Sequence, residues 1–125
     1  MARLQESLLE RVERFADRML DVTEAMERRA VRERLIDQVA AAGTSVGANL
    51  FEADEALSRA DFCKCLGICV KELNECRYWL RLVGRRGWIP VKSLKPLEGE
   101  CDESRRILGT MISRTRAKSR VAAKG

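Results

Sequence analysis

The side chains in this sequence best suited to chemistry are arginines and lysines, and the chemistry they suit is phosphate binding. Residues 81–125 hold 12 Lys and Arg against 4 Asp and Glu, whereas residues 1–80 hold 12 against 15. The basic cluster comprises Arg81, Arg85, Arg86, Lys92, Lys95, Arg105, Arg106, Arg114, Arg116, Lys118, Arg120 and Lys124. Arginine predominates, and its planar guanidinium matches phosphate oxygens two at a time. A concentration of positive charge also draws polyanions from a distance. A charged run serves solubility as well, so the cluster alone leaves nucleic-acid binding and a solvated face both open. Glu98, Glu100, Asp102 and Glu103 interrupt it. Its strongest parts are therefore the Arg81–Arg86 corner and the C-terminal stretch.

Other chemistry finds less support. Asn49, Glu52 and Glu72 sit at or beside apolar seams, where an unpartnered polar group is costly. Glu52 with Glu72 would make a carboxylate pair for acid–base work, but no nucleophile or phosphate loop accompanies them. Polar contacts between helices, fixing their register, are the better reading. Histidine is absent, which removes the commonest general base. Of the five cysteines, Cys65 and Cys69 alone have plausible ligand spacing. Structural zinc normally draws on paired Cys or on His, so we expect buried thiols, no metal and no cofactor. Tyr78 and Trp79 are adjacent and cannot share one core-facing stripe. Trp79 with Trp88 is expected at a subunit contact, a wide core stripe being the alternative.

These residues require long helices to carry them. Charged residues make up 34% and apolar residues 46%, with 8 Gly and 2 Pro, a balance that favours amphipathic helices. Leu4, Leu8, Val12, Phe15, Met19, Val22 and Met26 recur at three and four residues, predicting helix 1 over about 3–29. Helix 2 spans about 31–56, with Val39, Ala42, Val46, Asn49, Ala53 and Ala56 along one seam and Leu35, Val46, Leu50 and Leu57 along a second. Gly43 and Gly47 within it predict the close approach of another helix. Ser58 caps helix 3, which runs over about 59–84 on Phe62, Leu66, Cys69, Leu73, Cys76, Leu80 and Val83. Helix 4 covers about 93–116, starting near Pro96 or starting near Val91 and bending there. Residues 117–125 carry only positive charge and no seam, and read as a disordered tail. Short connections make neighbours antiparallel, so residues 1–116 form one all-α, up-down-up-down four-helix bundle. In that topology the Arg81–Arg86 corner and the end of helix 4 lie at opposite ends. No stretch is apolar enough for a membrane span, and the N-terminal MARLQESLLERVERF lacks the apolar run of a signal peptide. A cytoplasmic location is expected.

The stretch Thr44-Ser45-Val46-Gly47-Ala48-Asn49-Leu50-Phe51-Glu52-Ala53, with Gln38, Ser58, Asp61-Phe62, Lys71-Glu72, Glu75, Tyr78-Trp79-Leu80 and Arg106-Ile107-Leu108, resembles the bacterial four-helix-bundle family. Its members are also called 23S rRNA intervening-sequence proteins. Phe51 departs from the pattern, since many members carry a small residue there; Ala53 stands where they carry a glycine or alanine. The resemblance implies a bundle that assembles into a ring, commonly a pentamer. It also implies kinship with the accessory variability determinant of diversity-generating retroelements, a basic bundle that partners a reverse transcriptase and its RNA. It carries over no catalytic residue. The function expected is a non-enzymatic homo-oligomer that binds nucleic acid, RNA above all, through Arg-rich surfaces, as accessory to a reverse transcriptase. The alternative is a protein-binding scaffold with no nucleic-acid role.

Overall fold

The computed structural model describes residues 4–124. Four helices follow in order: α1 (Glu6–Arg28), α2 (Glu33–Asp54), α3 (Arg59–Arg85) and α4 (Val91–Lys124). Each turns one apolar face inward, and the core is continuous from Leu9 on α1 to Leu108 on α4. Consecutive helices pack along their lengths, giving the antiparallel four-helix bundle. α1 and α4 meet over only a short stretch, so the bundle is most open along that seam.

The expected seam of α3 is buried at every position, from Phe62 to Val83. Its N-cap is also as expected, with Ser58 Oγ accepting from the Asp61 backbone N–H at 3.0 Å. In α2 the buried face is Ile36, Val39, Ala42, Gly43, Val46, Leu50 and Ala53. The first expected seam is buried at every position but Asn49, which lies off that face, and the second fails at Leu57, 97% exposed beyond the helix end. The small residues of 40–48 make two adjacent stripes almost equally apolar, so spacing alone does not choose between them. Gly43 marks the close approach: a Cβ there would stand 2.5 Å from Met19 Cβ on α1. A Cβ at Gly47 would be an ordinary 3.8 Å from Val12.

α1 and α3 end alike. The N–H of Val31 bonds the Met26 carbonyl and that of Ala30 the Glu27 carbonyl, while Trp88 bonds Val83 and Gly87 bonds Gly84. Both are Schellman closures, which place one residue in the left-handed region. At the α3 end that residue is Gly87, at φ 72°; at the α1 end it is Ala30, at φ 55°.

α4 departs most from expectation. Its start at Val91, with Pro96 inside it, is the earlier of the two expected starts. The bond Pro96 cannot donate would go to the Lys92 carbonyl, in the exposed first turn where water can serve it. The segment expected as a disordered tail is helical to Lys124. No proline or glycine interrupts 110–124, and extending an existing helix needs no new nucleus. Lys124 also complements the negative end of the helix dipole. Position 3, the expected start of helix 1, and Gly125 lie outside the described residues.

Candidate nucleic-acid interface

The two Schellman corners lie at the same end of the bundle, because α1 and α3 run parallel. Arg29 Nη1 ties them by donating to the Gly87 carbonyl at 3.1 Å. Each corner is basic. Residues 81–95 contain Arg81, Arg85, Arg86, Lys92 and Lys95 and no acid; residues 28–34 add Arg28, Arg29, Arg32 and Arg34 against Glu33. All nine side chains are exposed, and among the described residues none forms an ion pair. The Arg86 guanidinium lies 5.7 Å from the Trp88 ring centroid, a cation–π contact that holds it outward. Behind this end, α3 and α4 enclose a groove of about 600 Å³ whose rim includes Arg77, Arg81, Arg85 and Lys95. Glu98 and Asp102 close it toward the middle of the bundle.

The α1–α2 arginines went unnoticed in the sequence because they belong to a half with net negative charge. A run of four arginines in seven residues at a predicted helix end was the available signal, but only the fold sets it beside Arg81–Arg86.

The middle of α4 is acidic and internally paired. Glu100 accepts from Arg11 Nε at 2.6 Å and Nη2 at 2.9 Å, and from Ser104 Oγ at 3.0 Å. Burial pushes the Glu100 carboxyl upward, but these bonds outweigh it and hold the group below its ordinary range. The Glu100 hydrogen bond, first, raises the Arg11 guanidinium further still. Glu103 stands 3.3 Å from Arg11, and Asp102 lies 3.7 Å from Arg77 and 3.3 Å from Arg105. Arg105 also donates to Asn74 Oδ1 at 2.8 Å. Arg105 is therefore committed to contacts within the α3–α4 interface, whereas Arg106 is exposed. Arg114, Arg116, Lys118 and Arg120 are exposed at the opposite end, near Arg59 and Lys64. The expected basic residues thus form two end groups with an acidic belt between them, and Arg105 and Arg106 lie beside that belt.

The expected interhelix polar contacts are corrected in part. Asn49 Nδ2 donates within its own helix, to the Ser45 carbonyl at 2.9 Å and Ser45 Oγ at 3.1 Å. The backbone acceptor one turn back satisfies it without a partner helix. Glu52 is exposed, since the buried face of α2 lies to its side. Glu72 is half-buried, and burial followed by the Glu75 charge raises its carboxyl above the usual range. Trp79 and Trp88 are partly buried against the core; Trp79 Nε1 donates to Glu75 at 3.1 Å. Of the aromatic neighbours it is Tyr78, 59% exposed, that faces outward. Cys69, Cys76 and Cys101 are buried, and Cys63 and Cys65 half-buried. Among the described residues no cluster of three or more potential metal ligands occurs, and no helix is long and apolar enough to cross a membrane.

The family model described as 23S rRNA-intervening sequence protein matches residues 7–110. The chain belongs to that family. Residues 7–110 take in all of α2 and α3, both basic corners and the acidic belt, and stop short of the basic end of α4. A solved member of the S23 ribosomal protein family, a protein of unknown function from Bacteroides thetaiotaomicron, is similar in fold and sequence. Its TM-score is 0.80 at 30% identity, covering 86% of this chain and 96% of that one. No functionally curated protein matches this intervening-sequence family member.

Proposed function

We propose that the protein is a non-enzymatic bundle that binds RNA through its Arg-rich corner end. The observation that carries this reading is the meeting of two basic helix corners, joined by the Arg29–Gly87 bond, with no carboxylate among the described residues paired to their side chains. Cations already neutralised by carboxylates, as Arg11 and Arg105 are, gain little from phosphate; unpaired exposed arginines keep that capacity. The name of the family and the resemblance to a reverse-transcriptase accessory bundle favour RNA as the polyanion. The same resemblance supports a homo-oligomer, a pentameric ring, in which each basic end would be repeated and weak contacts would add. A reverse transcriptase is the protein partner it suggests.

The decisive experiment is an RNA titration at two salt concentrations. Binding should weaken steeply with salt, and replacing Arg81, Arg85 and Arg86 with Ala should weaken it without changing the helical signal. Absence of binding at low salt, or affinity indifferent to salt, would overturn the RNA reading. A protein-binding scaffold would then stand, favoured by exposed Phe51, Leu57 and Tyr78. Light scattering tests the ring.

A further inference from the structure

α4 is 34 residues long, against 27 for α3. The excess lies at one end. Arg59, the first residue of α3, reaches the Lys118 carbonyl at 3.5 Å, so residues 119–124 run past the start of α3 by about 9 Å. Residues 113–124 contain five basic residues and no acid. Arg116 lines a shallow groove with Arg59 and Lys64, and Lys118, Arg120 and Lys124 continue outward, exposed. The C-terminal turns of α4, with Arg59 and Lys64, therefore form a second basic surface at the end opposite the helix corners, beside the acids Glu52, Asp54, Glu55 and Asp61.

The two surfaces are electrically separate. From Lys92 to Arg116 along α4 is about 36 Å, more than four times the roughly 8 Å screening length at physiological salt. Between them stand Glu98, Glu100, Asp102 and Glu103. Arg11, Arg77 and Arg105, which might have carried a continuous positive track across the middle, are held by those acids, leaving Arg106 as the exposed α4 cation between the two surfaces. A single RNA strand laid along α3 and α4 would have to cross this belt. Two strands, one at each end, would not.

We infer that the two ends are independent sites and that the protein bridges two RNA segments, holding them about 36 Å apart. This rests on the RNA-binding reading above. The experiment mixes the full chain with two short, non-complementary, single-stranded RNAs, one carrying a donor fluorophore and one an acceptor, and reads energy transfer and total RNA bound separately. Two triple variants are compared: Arg81→Ala with Arg85→Ala and Arg86→Ala, and Arg116→Ala with Lys118→Ala and Arg120→Ala. Matching glutamine triples serve if an alanine triple fails to fold. The wild type should give transfer and bind two RNAs per chain; each triple should bind one RNA per chain, with the salt dependence of the remaining site unchanged. Two RNAs per chain retained in either triple would mean that the replaced residues form no separate site, and would overturn the inference. So would loss of all binding in one triple, which would show a single site or a continuous track while leaving RNA binding intact. No RNA bound by the wild type would remove both readings together.

Discussion

Burial divides the five thiols into two chemical populations. Desolvation pushes Cys69 and Cys101 up to about 12, and it raises Cys76 as well. The thiolate, not the thiol, is the nucleophile, so these three are inert twice over, by access and by protonation. Iodoacetamide on the native protein should label Cys63 and Cys65 only, with the remaining three reacting after denaturation, as read by peptide mass spectrometry. Equal native labelling of Cys76 would show that the α3–α4 interface opens. The buried α3 thiols were legible in the sequence because Cys69 and Cys76 occupy seam positions between leucines. The polar residues were not. Asn49 shares the spacing of a seam residue, but Leu50 takes the buried position beside it, and a hydrogen bond to Ser45 satisfies its amide.

At the scale of elements, helix breaks are decided by which residue can take a left-handed backbone. At the end of α3 that residue is Gly87, the type that takes this backbone at least cost. Nothing announced the end of α1, because Ala30 occupies the position glycine normally takes. A left-handed alanine costs about 1–2 kcal/mol, partly offset by the smaller freedom alanine has when unfolded. Ala30→Gly should therefore raise stability by about 1 kcal/mol, seen as a higher urea midpoint with unchanged slope. An unchanged or lower midpoint would contradict this account of the corner. Gly43→Ala should act in the opposite sense. Its Cβ would meet Met19 Cβ, which is fixed to the backbone and cannot swing aside. Overpacking of about 1–3 kcal/mol outweighs the gain in helix propensity of at most about 1 kcal/mol. At Gly67, where a Cβ meets nothing, the same substitution should stabilise. The small-residue stretch of α2 told in advance that a helix approaches there, but not which glycine it touches. The C-terminal extension of α4 was missed for a related reason. A helix lacking an apolar seam leaves no periodic signal, although nothing in its sequence stops it.

The molecule as a whole is held closed along its weakest seam by few groups. α1 and α4 are bridged by the two-pronged Arg11–Glu100 contact, with side chains 25% and 17% exposed. Because the Glu100 carboxyl is held below its ordinary value of about 4.5, the stabilisation is fully present above that pH. It is lost as pH falls through the lowered value. Glu100→Gln should cost about 1 kcal/mol at neutral pH, and the difference in melting temperature should close in acid. A gap that widens below pH 4.5 would refute the assignment. The charge asymmetry between halves of the sequence hinted at a positive surface, yet its division into two ends depended on antiparallel packing and on the ion pairs that silence the middle. An even number of helices has one more consequence. Leu4, whose N–H bonds Asp54 at the foot of α2, and Lys124 at the tip of α4 both lie at the end away from the helix corners. A chain fused or immobilised through either terminus would present the corner arginines to solution, so the attachment point sets which end an array of these bundles displays.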